Sequence, residues 1–178
     1  MTAAVAALLV SVRRHLAACL PPKSDWLDGW PGEATRIVTP AARPVLRYLV
    51  TSPELRQLEW RQTYSEAEVG AEFLLNYAWA ELIGSRGPFA STTMLAGFIL
   101  LGPETLYRRH RHAAEELYLP LSGTADWWRE DSGWVARPPG APIHHPSSVV
   151  HATRTGAEPL LALYLWRGEG LSDKSELL

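Results

Sequence analysis

The sequence is poor in sulfur and in clustered charge. Cys19 is its one cysteine, so no disulfide can form within the chain, and neither a disulfide scaffold nor a cysteine zinc cluster is possible. A reducing compartment suits such a chain, and a cytoplasmic location is expected. Basic residues are scattered and the net charge is −2; with no basic stripe, a nucleic-acid partner is not expected. The apolar start, residues 1–20, is broken by Arg13, Arg14 and His15. It reads as an amphipathic helix, neither a signal peptide nor a membrane span. Internal repeats and low-complexity tracts are missing too. A length of 178 residues fits one domain, with room for an appended helical segment and a substantial core.

What the chain has in excess is tryptophan, with eight. Most tryptophans serve as core or lid residues. Beside a pocket, a group of them can also hold a cationic ligand against aromatic faces.

The chain divides at its change of periodicity. Alanine and leucine at helical density over 2–20 stop at Pro21-Pro22. Residues 21–45, with Trp26, Trp30 and several glycines and prolines, read as a loop. Ser52-Pro53-Glu54 opens a helix through about Arg61. Ser65-Glu66-Ala67-Glu68 is a capping-box pattern for a second helix running towards Leu82 and closed by Gly84. From Thr92 the pattern turns extended, with strands expected at 92–101, 115–121, 124–129, 134–137, 149–154 and 160–166. That spacing indicates a mainly β chain, a sandwich or barrel. The expected organisation is a helical segment over 1–88 packing on a β-barrel core over 89–168, then a loosely held tail over 169–178.

The chemistry concentrates at His110, His112 and Glu116. Successive side chains of a strand alternate faces, so residues 110, 112, 116 and 118 share one side if the intervening turn keeps register. Two imidazoles and a carboxylate on one wall suit one divalent transition metal ion: iron, zinc, manganese, nickel or cobalt. The spacing His110, His112, Glu116, Gly123 resembles the first motif of the cupin superfamily. Gly140-Ala-Pro-Ile-His-His-Pro146-Ser-Ser148-Val-Val-His151 resembles the second, with Ser148 where that family has glycine. The resemblance implies a jelly-roll β-barrel in which His151 is the fourth ligand. His144 and His145 fall outside the ligand slot and read as outer or surface residues.

A narrower resemblance rests on Leu100-Leu-Gly-Pro103, Tyr107, His110 to Tyr118, Leu121-Ser-Gly123, His145-Pro146, His151-Ala152 and Leu160 to Trp166. These residues are similar to the bacterial cupin-type dimethylsulfoniopropionate lyases, with Arg111 and Ala113 departing from the usual pattern. The resemblance implies a carbon–sulfur lyase that makes acrylate and dimethyl sulfide from a small sulfonium carboxylate. Such an elimination needs an electrophile for the carboxylate and a strong, positioned base. Tyr118 matches the family's catalytic tyrosine. Tyr107 is a second catalytic and substrate-binding candidate, but it has the opposite parity to His110 and joins the pocket only through a bend or bulge. Trp166 is the expected aromatic surface for the sulfonium, with Trp60 and Trp79 as weaker candidates. Another metal-dependent cupin enzyme, such as a sugar isomerase, and a non-catalytic binding cupin remain alternatives on the same ligands. No membrane partner is expected, and the chain is read as a monomer or homodimer.

Overall fold

The computed structural model describes residues 58–178. The expected helix at 2–20, the loop at 21–45 and the helix start at Ser52 lie outside these residues. Leu58 to Arg61, expected to end that helix, are not helical; Arg61 instead exchanges backbone hydrogen bonds with Trp79 at 2.8 and 3.0 Å.

The capping box at Ser65 forms as the sequence predicts, the Ser65 N–H donating to Glu68 Oε2 at 2.8 Å. The helix it opens is short. Gly70, at φ 82°, separates α1 (Glu66–Val69) from α2 (Ala71–Leu75). Tyr77–Gly84, expected as the continuation of the helix, is the strand β1. Its aromatic and β-branched residues suit a pleated surface, and pairing along a neighbouring strand overrides the local helical reading.

After β1 come β2 (Phe89–Ala90), β3 (Met94–Leu101), β4 (Leu106–Arg111), β5 (Glu115–Ser122) and β6 (Ala125–Arg129). They are followed by β7 (Gly133–Arg137), β8 (Ile143–His145), β9 (His151–Thr155), β10 (Leu160–Arg167) and β11 (Glu176–Leu177). All six strands expected from the sequence form, within one or two residues of their expected ends. The first sheet has the order β2-β1-β3-β10-β5-β8, the second β11-β4-β9-β6-β7. Apart from the short parallel β1–β2 contact, every pairing is antiparallel. The sheet therefore begins at residue 77, ahead of the expected boundary at 89.

The strands β3 and β10 carry the core. Every residue of β3 is buried, as are the first six of β10, the continuous apolar pattern of strands covered on both faces. Gly97 in β3 is required by close approach: a Cβ there would lie 2.1 Å from the Ala80 carbonyl oxygen and 2.7 Å from the Tyr164 hydroxyl.

The expected loose tail is tied down. Within β11, Glu176 and Leu177 pair with Arg111 and His110 of β4, and Arg111 Nε bonds Glu176 Oε2 at 2.7 Å. The chain from Leu171 to Ser175 thus runs as a strap over the end of the sandwich that carries the histidines.

Candidate metal centre and its cavity

The two sheets each bring part of one cluster, so the single strand face expected for residues 110, 112, 116 and 118 does not form; only Glu116 and Tyr118 share one. The second sheet brings His110 at the end of β4 and His151 at the start of β9, directly paired in register. His112 follows β4 immediately, and Glu116 comes from β5 of the first sheet. All four are buried, Glu116 and His151 completely.

Backbone carbonyls orient the imidazoles. His110 Nδ1 meets the Arg108 carbonyl at 2.8 Å, His112 Nδ1 the Ala114 carbonyl at 2.9 Å, and His151 Nδ1 the Val149 carbonyl at 3.0 Å. A carbonyl only accepts, so each Nδ1 carries a proton and each Nε2 is turned inward, where it can offer its lone pair once unprotonated. Glu116 Oε2 lies 3.2 Å from His112 Nε2 and 3.4 Å from His151 Nε2. The His151 Nε2 atom is buried with no hydrogen-bond partner among the described residues. Imidazoles with converging Nε2 atoms, orientations fixed from outside, and a carboxylate among them fit a divalent cation. His110, His112 and His151 form one group of atoms close enough to hold an ion; Glu116, His145 and His151 form another.

Burial and neighbouring charge act differently on the three groups. Burial, and then His151, hold His110 well below the ordinary imidazole value. For His112 burial acts in the same direction, but the Glu116 carboxylate outweighs it and raises the group. Glu116 is buried, which alone would raise it, yet His112, His145 and His151 hold it well below the usual carboxylate range.

His110 and Glu116 open on a cavity of about 550 Å³, whose wall also includes Tyr107, Tyr118, Trp79 and Trp166. The bulge that Tyr107 needs is present: the pairing of β4 with β9 slips between Tyr107 and His110. The Tyr107 ring consequently stacks on His110 at 4.0 Å between centroids, and its hydroxyl bonds that of Tyr64 at 2.7 Å. Tyr118 shares the Glu116 face of β5, as the alternation predicts. Trp166 stacks on His112 at 4.1 Å and donates Nε1–H to Glu116 Oε1 at 2.5 Å. Trp60 is not part of this wall.

His144 is half-exposed and pairs with Glu115, as an outer residue should. His145 is a different case: it is completely buried, with Nδ1 3.1 Å from Glu116 Oε2 and its ring 3.9 Å from that of His151. Of the two expected readings, outer or surface, burial excludes the surface one for His145. The strap contributes Leu171 to Ser175 to the cavity wall, and Gln62 and Thr63 contribute from the other side. Neither segment carries a motif, so nothing in the sequence marked them.

The Ser148 turn keeps the conformation of the glycine it replaces, with φ 62°. Its N–H donates to the His112 carbonyl at 2.9 Å, which ties the second histidine segment to the first. Among the described residues no helix is long and apolar enough to cross a membrane.

Comparison with known proteins places these features. A family model described as dimethylsulfoniopropionate lyase matches residues 36–162. The dimethylsulfoniopropionate lyase DddQ of Ruegeria pomeroyi is 40% identical over 111 residues, 62% of this chain and 55% of that protein. A putative dimethylsulfoniopropionate lyase DddL of Cereibacter sphaeroides is 30% identical over 113 residues, 63% of this chain and 47% of that protein. The chain thus spans about half the length of the curated relatives it matches. The crystal structure of DddQ from Ruegeria pomeroyi superposes with a TM-score of 0.72 at 30% identity, covering 99% of this chain and 77% of that one. A cupin-2 domain of Rhodospirillum rubrum shares the fold, with a TM-score of 0.54 at 20% identity over 68% of this chain and 76% of that one.

Proposed function

The chain belongs to the dimethylsulfoniopropionate lyase family, and from that premise we propose that it cleaves dimethylsulfoniopropionate to acrylate and dimethyl sulfide by β-elimination. The observation that carries the reading is that His110, Glu116, Tyr107, Tyr118 and Trp166 face one cavity of about 550 Å³, within the size range of small-molecule sites.

The roles follow from the chemistry. The carbon next to the substrate carboxylate must lose a proton, and its electron pair becomes the new double bond as the carbon–sulfur bond breaks. Sulfur leaves with the bonding pair as neutral dimethyl sulfide. Tyr118 takes the proton on its phenolic oxygen. Tyr107, held by Tyr64, orients the substrate from the opposite side of the cavity. Trp166 offers an aromatic face to the sulfonium, a contact worth about 0.5 to 2 kcal/mol. His110, His112, Glu116 and His151 would hold a divalent cation, which supplies an electrophile for the carboxylate and favours a neighbouring phenolate. The strap over Leu171 to Ser175 and the segment at Gln62 and Thr63 limit water in the cavity.

The direct test is to load the purified protein in turn with iron, zinc, manganese, nickel and cobalt and supply dimethylsulfoniopropionate. Dimethyl sulfide in the headspace, with equimolar acrylate in solution, is expected for at least one metal. Product no higher than in a heat-inactivated control for all five would reject the activity.

A further inference from the structure

Glu116 is gripped on both carboxylate oxygens by residues that stand directly opposite it in the sheet. β5 lies between β10 and β8, and the residue paired with Glu116 is Trp166 on one side and His145 on the other. Directly opposed side chains in antiparallel strands lie about 5 Å apart at Cβ and interact strongly. Here that rung becomes a hydrogen-bonded row: Trp166 Nε1 meets Oε1 at 2.5 Å, and His145 Nδ1 meets Oε2 at 3.1 Å.

His145 is used differently from the other histidines of the centre. His110, His112 and His151 each turn Nδ1 outward to a backbone carbonyl and Nε2 inward. His145 instead turns Nδ1 to the carboxylate, while its Nε2 is buried without a hydrogen-bond partner among the described residues. An ionised carboxylate only accepts hydrogen bonds, so Nδ1 of His145 is the donor. Each gripping residue also stacks on a different histidine of the centre, Trp166 on His112 at 4.1 Å and His145 on His151 at 3.9 Å.

We infer that His145 and Trp166 are positioning residues that clamp the two oxygens of Glu116 and thereby set how tightly the histidine–glutamate centre holds a divalent cation. The clamp deepens the metal reading of this site given under the proposed function. Two N–H donors fix the carboxylate plane and stop Glu116 from rotating away. Outer hydrogen bonds of this kind typically contribute 10- to 100-fold in metal affinity.

Metal binding measured without substrate separates the clamp from the lyase reaction. Apoprotein is titrated with Co²⁺ against a competing chelator, and the visible absorption of the bound Co²⁺ is recorded. Trp166→Phe keeps a ring on His112 but removes the N–H; His145→Leu removes the donor on the other side. Each is expected to weaken Co²⁺ binding about 10- to 100-fold and to alter the absorption bands. His145→Asn places an amide N–H where Nδ1 stood and is expected to recover affinity to within about threefold of the parent. Circular dichroism and thermal unfolding of the apoproteins check folding, and Trp166→Phe carries the test if His145→Leu does not fold. Parental affinity and bands in Trp166→Phe, even with a raised KM, would overturn the clamp by confining Trp166 to the substrate. His145→Asn as weak as His145→Leu would overturn it by reducing His145 to a packed ring. A parent that binds no Co²⁺ would overturn it outright, whereas a parent that binds Co²⁺ but makes no dimethyl sulfide would reject only the lyase activity.

Discussion

Burial makes the neutral phenol the default form of both candidate bases. Tyr118 is pushed well above the ordinary tyrosine value, first by burial and then by the Glu116 carboxylate; Tyr107 is pushed up by burial and by Tyr77 and Tyr64. A cation held by the neighbouring histidines acts in the opposite sense. Tyr118→Phe removes one hydroxyl and leaves the ring, so kcat is expected to fall about 10²- to 10⁴-fold with KM little changed. Metal content should stay at the parental level, because the histidines and Glu116 that could hold the ion are all retained. Tyr107→Phe loses its bond to Tyr64 and is expected to fall less. Initial rates of dimethyl sulfide release with elemental analysis decide between them: a Tyr118→Phe protein within a few-fold of parent moves the base to Tyr107, and two active variants reject a phenol base. At this scale the sequence was most informative where spacing is short. His110, His112 and Glu116 fall within one motif, although they meet from two sheets and the connection between them, not along one strand face. His145 was read only as an outer or surface residue, because its partner, Glu116, is reached across a strand pairing that no local pattern encodes.

Among the elements, β1 shows how a correct local signal can mislead. The capping box at Ser65 is real, yet Gly70 interrupts the helix and Tyr77–Gly84 is drawn into the sheet by eight-residue β3 beside it. The strands from β3 onward were legible because turn residues punctuate them. The site depends on this pairing, since β3 also flanks β10, which carries Trp166 and Tyr164. Gly97→Ala tests the packing: the added methyl meets backbone at Ala80 and the Tyr164 hydroxyl, and β3 is pinned on both sides. Overpacking of this kind is expected to cost about 3 kcal/mol, measured as a lower denaturant midpoint in urea unfolding. A midpoint within error of the parent would show that β1 and β3 can separate locally at no cost.

At the scale of the whole molecule, part of the cavity wall comes from a segment distant in sequence from the motifs. Lys174 of the strap bonds Glu68 of α1 and lies 5.1 Å from the centre of the Tyr64 ring. The Glu68 carboxyl is held down to about 2 by Lys174 and then by Ser65. Since this lies below the unfolded value of about 4.3, the latch contributes fully above that pH and is lost as pH falls towards 2. Parent and Glu68→Gln should therefore differ in unfolding midpoint at pH 7, and the gap should close between about pH 4.5 and pH 2. A gap that persists at pH 2 would place the stabilisation elsewhere. The sequence hid this latch because Glu68 reads there only as part of the capping box, and no local pattern pairs it with Lys174, which is distant along the chain.

The origin of the cavity walls has a further consequence. His110, His145, His151, Glu116 and Trp166 are fixed by sheet register, where a slip of one residue reverses every side chain. Leu171 to Ser175 and Gln62 to Thr63 lie outside the strands and obey no such rule. The molecule is therefore modular for evolution: the strap and the Gln62–Thr63 segment can drift while the wall that carries the candidate metal ligands stays untouched. A directed library aimed at new carboxylate substrates belongs in those two segments, where diversity leaves the barrel intact.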